Sequence, residues 1–148
     1  PPKEPAACPP PPELIEGLDP APETVFRAGN DYLAVYREEA TIRSVRAGME
    51  ALAKLPGAVI VTAPAAEEGL DFVSRVFAPA EGIPEDPVTG SAHCVLVPYW
   101  SGRLGRESFR AAQLSRRGGR LECRRAGDTI EISGQAVLYM EGTIRLPR

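Results

Sequence analysis

The sequence predicts an α+β fold in which antiparallel strands are wrapped around one buried helix. Three observations predict it. The run Ser91-Ala-His-Cys-Val-Leu-Val is almost free of charge, so a helix there would be buried over most of its circumference. Residues Ala58 to Ala63, AVIVTA, form a continuous apolar run that reads as a buried strand. From Phe109 onward, short apolar stretches recur between Gly118-Gly119, Gly127, Gly134 and Gly142, the spacing of an antiparallel meander. A meander cannot bury its apolar face alone, so sheet and helix need one another.

In chain order, Pro1 to Pro12 holds seven prolines, and Pro20 and Pro22 follow. Such a stretch cannot donate a normal ladder of hydrogen bonds, so residues 1–23 read as a proline-rich arm or interdomain linker and 24–148 as the folded domain. An opening of this kind suits the middle of a longer protein, or a chain whose initiator methionine has been removed. Glu13 to Leu18 has room for one or two helical turns. Thr24 to Ala28 and Tyr32 to Arg37 alternate around Gly29-Asn30-Asp31, which predicts a hairpin. Val45, Met49, Leu52 and Leu55 recur at spacings of three and four, so Ser44 to Leu55 predicts an amphipathic helix closed by Pro56-Gly57.

Asp71 to Ala78 alternates with apolar residues on both faces: Phe72, Ser74 and Val76 on one, Val73, Arg75 and Phe77 on the other. Pro79, Gly82, Pro84 and Pro87 then predict an irregular loop, and a helix follows with Ser91 as its N-cap. Pro98 is expected to kink or end it, with Trp100 in the core. After Phe109 strands are expected at Phe109 to Ser115, Leu121 to Arg124, Thr129 to Ser133, Ala136 to Glu141 and Thr143 to Leu146.

The head of the apolar helix is where chemistry is expected. The first amides of a helix lack partners and can hold an anion. Gly90 would allow close approach of a ligand, Thr89 and Ser91 offer hydroxyls, and Asp86 brings a carboxylate to the same loop. The same pattern also fits a capped helix with an Asp turn and no ligand. His93 can approach the ligand or pack under the loop and bond a backbone carbonyl. Arg75 is expected to pair with Asp86, while Glu85 points apart from it or shares its charge.

Composition removes several function classes. A length of 148 residues with 43% hydrophobic content bounds the chain to one respectable core. There is neither an apolar run long enough to span a bilayer nor a signal segment, so a soluble cytoplasmic protein is expected. Cys8, Cys94 and Cys123 lie far apart without CxxC spacing, and there is one histidine, so no disulfide framework and no metal are expected. Arg103 to Arg125 holds eight arginines, but Phe109 alone could stack on bases and the net charge is −3, which disfavours nucleic acid. Arg116 and Arg117 are expected to pair with carboxylates or support the loop.

Phe77-Ala-Pro, Glu85-Asp-Pro-Val-Thr-Gly-Ser-Ala-His and Gln113-Leu-Ser-Arg-Arg-Gly-Gly together resemble the signature of the phenazine-biosynthesis PhzF-like family. The resemblance runs from about residue 24 to the C-terminus and implies a diaminopimelate-epimerase-like fold, here its C-terminal half. It implies a cofactor-independent isomerase or epimerase that moves a proton on a small carboxylate-bearing substrate, in a cleft between two similar halves. Asp86 falls at the position of the family's functional aspartate, and Gly90 and Ser91 at its substrate-binding glycine and serine. The first-half glutamate and histidine of such enzymes have no counterpart here. A chain of this kind needs an N-terminal half domain or second subunit, and its exposed apolar face favours association with another chain or with itself. The alternative is a non-catalytic domain that binds small anions or a protein.

Overall fold

The computed structural model describes residues 1–145. A nine-stranded, mostly antiparallel sheet carries the fold. The chain runs β1 (Ala6–Ala7), α1 (Pro12–Gly17), β2 (Leu18–Asp19), β3 (Thr24–Ala28), β4 (Asp31–Val35), α2 (Glu39–Ser44), β5 (Arg46–Ala47) and α3 (Met49–Leu52). It continues through β6 (Val59–Pro64), β7 (Phe72–Ala78), β8 (Ile83–Asp86), α4 (Gly90–Leu104), β9 (Ser108–Gln113), β10 (Gly119–Ala126) and β11 (Thr129–Gly134). The sheet order is β1-β3-β4-β6-β7-β9-β10-β11 with β8 beside β7, while β2 and β5 form a separate pair. Among the described residues only β4–β6 and β7–β9 are parallel. Parallel neighbours need a long crossover, supplied by α2, β5 and α3 in one case and by β8 and α4 in the other.

β7 holds the sheet together because both its faces are apolar. Phe72 and Val76 enter one buried cluster with Val95, Leu96 and Trp100 of α4. Val73 and Phe77 enter a second cluster with Ile42 and Leu52 from the α2–α3 side. Trp100 stacks on Phe72 at 5.5 Å and donates its indole N–H to Thr62 Oγ1 at 3.2 Å, fixing α4 on β6 and β7. Burial of each of these large side chains contributes about 1.5–3 kcal/mol.

Four sequence expectations are corrected here. Residues 1–23 do not trail free of the body: β1 pairs with β3, and Leu14 and Leu18 are buried in the core. Helix α4 does not end at Pro98 but continues through it to Leu104. Proline at 98 leaves the Cys94 carbonyl without its intrahelical donor, and the Lys3 backbone N–H bonds that carbonyl at 2.8 Å. The amphipathic period over Ser44 to Leu55 is broken into α2, β5 and α3 because Arg46 and Ala47 pair with Asp19 and Leu18. Finally, 136–145 forms no strand, and Val137, Leu138, Tyr139, Met140 and Ile144 are exposed. Leu146, the end of the last expected strand, lies outside the described residues.

Among the described residues no helix is long and apolar enough to cross a membrane, and no cluster of side chains could hold a metal ion. Cys8, Cys94 and Cys123 are free, and burial pushes the Cys123 thiol up to about 12.

Candidate active site

The expected irregular loop contains β8, which pairs antiparallel with β7 and places Asp86 opposite Val76. Directly opposed residues share a face of the sheet. Asp86 therefore lies on the α4 side with Val76, and Glu85 on the other side with Arg75 and Phe77. That register corrects the expected Arg75–Asp86 pair. Arg75 instead forks onto Glu85, Nε to Oε1 at 2.7 Å and Nη2 to Oε2 at 3.2 Å, and its Nη1 donates to the carbonyls of Ile42 and Val45.

Thr89, not Ser91, is the N-cap of α4, and its side chain makes no capping bond to the helix. Its hydroxyl donates to Asp86 Oδ2. Gly90 and Ser91 form the exposed first turn of a 15-residue helix with no acidic side chain in that turn. The structure thus brings Asp86, Thr89, Gly90 and Ser91 together at one helix head. His93 lies beneath them, fully buried, with Nδ1 2.8 Å from the Thr89 carbonyl. A carbonyl only accepts, so Nδ1 carries the proton and the ring is held against the loop rather than facing solvent.

Four residues of the second signature, unassigned by sequence, build the floor of this loop. Gln113 is fully buried and bonds both the Asp86 carbonyl and Thr89. Ser115 Oγ donates to the Pro87 carbonyl at 2.8 Å and accepts from the Gly118 N–H at 3.0 Å. Gly118 takes a left-handed φ of 70°, and a Cβ on Gly119 would stand 2.4 Å from Val88 Cγ2. The polar residues of Gln-Leu-Ser and the close glycine approach were the signal that could have identified them. Gly119→Ala is expected to push Val88 and cost about 1–3 kcal/mol, with amide shifts at Thr89 to Ser91 in NMR spectra. Unchanged shifts there would contradict the packing role.

Arg116 and Arg117 line a groove of about 480 Å³ beside the loop with Glu85, Pro87 and Ser115. Ion pairing in the arginine-rich segment falls to others: Arg106 with Asp71, Arg110 with Glu122, Arg120 with Glu67, Arg124 with Glu131 and Arg125 with Glu4. Five of the eight arginines are therefore matched by carboxylates, which breaks up any continuous basic stripe.

Burial holds the His93 imidazole below its ordinary pKa, with the Thr89 carbonyl opposing. The unfolded chain therefore takes up a proton before the folded one does, so this contribution is complete above about pH 6.5 and falls as pH drops below it. Glu39 is held low chiefly by the Ala66 N–H, with Arg43 adding to it, so a second loss sets in as pH falls through the ordinary carboxylate range. Urea midpoints should decline from pH 7.5 to 5.5, and His93→Gln should flatten that interval while leaving the acid limb. An equally steep decline in the variant would refute the assignment.

The sequence profile of phenazine biosynthesis-like proteins (PhzC/PhzF) matches residues 16–142, and the chain belongs to that family. It is 48% identical over 135 residues to an uncharacterized isomerase of Pseudomonas aeruginosa, covering 90% of this chain and 51% of that protein. A second uncharacterized isomerase of the same organism is 46% identical over 145 residues, covering 97% of this chain and 55% of that one. A crystal structure from Clostridium difficile, described as a phenazine biosynthesis PhzC/PhzF protein, superposes with a TM-score of 0.82 at 38% identity, over 97% of this chain and 55% of that one. The chain thus spans about half the length of the curated relatives it matches.

Proposed function

We propose that this chain supplies one half of the cleft of a cofactor-independent isomerase or epimerase that moves a proton on a small carboxylate-bearing substrate. The observation that carries the reading is the Asp86 carboxylate, tied through one oxygen to Thr89, beside the exposed Gly90–Ser91 head of α4. The substrate carboxylate takes the Gly90 and Ser91 amides and the Ser91 hydroxyl. Asp86 then gives or takes a proton, or orients the carbon that does. His93 supports the loop from below. The strands wrap α4 in an epimerase-like half, and a second, similar half supplies the opposing acid–base group and excludes water from the cleft. Free cysteines suit a reducing cytoplasm.

The exposed apolar run at 137–140 supports a second half domain or subunit as the partner, since an extended segment of this kind pairs readily with an open sheet edge. The test pairs the chain with the complementary half of a full-length relative and incubates it in D2O with small α-hydroxy, α-amino and unsaturated carboxylic acids. Deuterium should enter at one carbon of at least one acid, and the chain alone should exchange none. If the assembled protein exchanges none of the panel, the isomerase reading fails.

The same apolar run favours a second reading, a non-catalytic domain that binds small anions or a protein through the retained fold. Calorimetry separates the isomerase from the protein-binding form of this reading: heat with the complementary half and none with acetate or malonate on the assembly would favour the latter.

A further inference from the structure

We propose that Gln113 is a positioning residue for Asp86, acting through Thr89 to fix which carboxylate oxygen faces the ligand; this rests on the reading of Asp86 as the proton-moving group. Gln113 closes β9 and is fully buried. Its Oε1 accepts the Thr89 N–H at 2.8 Å, and its Nε2 donates to the Asp86 carbonyl at 2.7 Å and to Thr89 Oγ1 at 3.1 Å. The amide has one workable orientation. Flipped, its NH2 would meet the Thr89 N–H and its oxygen would meet the Asp86 carbonyl, donor on donor and acceptor on acceptor.

That orientation sets the direction of the next bond. Thr89 Oγ1 receives a proton from Gln113, so its own single proton is directed to Asp86 Oδ2. Oδ2 is thereby committed to the loop, and Oδ1 is left as the oxygen that can exchange a proton with a substrate held at Gly90 and Ser91. Gln113 itself touches no ligand. A buried amide two links away from the carboxylate thus decides how the carboxylate is presented, and buried hydrogen-bonded chains of this kind rigidify what they hold.

The test uses the 148-residue chain and reads the Asp86 side-chain rotamer from three-bond couplings, together with amide hydrogen exchange at residue 89. The unaltered chain should show one rotamer and a protected amide. Gln113→Met should average the rotamer and speed exchange at Thr89 about tenfold or more. Gln113→Glu keeps an acceptor for the Thr89 amide but loses the donor, and should average the rotamer while retaining protection. Thr89→Val should average the rotamer with the amide still protected, and Thr89→Ser should restore the single rotamer. Joining Gln113→Met to Thr89→Val should add no further averaging beyond Thr89→Val alone. A single Asp86 rotamer surviving in Thr89→Val, or in whichever Gln113 variant folds, would overturn the proposal. Unchanged turnover in Asp86→Asn would instead refute the role of Asp86 and leave these couplings as they are, so the two failures are separable.

Discussion

Asp86→Asn, in a protein that pairs this chain with its complementary half, is expected to lower proton exchange into substrate by about 10²–10⁴ with KM little changed. Asparagine keeps the size of the side chain and an oxygen that can accept the Thr89 hydroxyl now bonded to Asp86. It removes only the capacity to take and return a proton. The Gly90 and Ser91 amides that would hold the substrate carboxylate lie on the helix and are untouched. A loss confined to turnover therefore assigns Asp86 to the transition state, whereas a rise in KM alone would make it a binding group. Unaltered exchange would refute its part in the reaction.

What the sequence made legible, and what it hid, follows from how many partners a residue needs before its place is defined. β7 was readable because alternation on two apolar faces has one solution, a strand packed on both sides, and its residues divide between two core clusters accordingly. The helix after Gly90 was readable because it is nearly free of charge. The loop residues Asp86, Thr89, Gly90 and Ser91 were found as a group, since the helix head gathers whatever immediately precedes it.

β8 was hidden by Pro84 and two adjacent carboxylates, which argue against a strand; its pairing with β7 decides it. That pairing also reassigns Arg75, because sequence proximity does not say on which face Glu85 and Asp86 fall. The break between α2 and α3 depends on β2, nearly thirty residues upstream, by way of Leu18↔Ala47. Gln113 lies 24 residues from Thr89 in sequence, and no periodicity could announce its bond to the loop. Pro98 was misread for a similar reason: the donor that replaces its missing partner comes from Lys3, in a segment expected to be an arm.

Arg75 ties β8 to the end of α2, and Arg75→Met is expected to destabilise the chain by about 2–4 kcal/mol, below the value for a wholly buried pair because both partners keep some contact with water. The exposures of the two side chains are 16% and 24%. Four contacts disappear together: the fork onto Glu85 and the two bonds to the carbonyls of Ile42 and Val45 at the end of α2. The guanidinium also lies 4.9 Å from the Phe77 ring centre, so its planar face covers apolar surface. Methionine replaces that apolar contact in part, which isolates the cost of leaving the Glu85 carboxylate and two carbonyls without donors. Arg75→Lys retains the charge without the planar fork and should fall between the two. Joining Glu85→Leu to Arg75→Met should recover part of the loss, since the stranded carboxylate is then gone. Urea midpoints measure all three variants, and an Arg75→Met midpoint equal to that of the unaltered chain would show that the β7–β8 contact is held by backbone pairing alone.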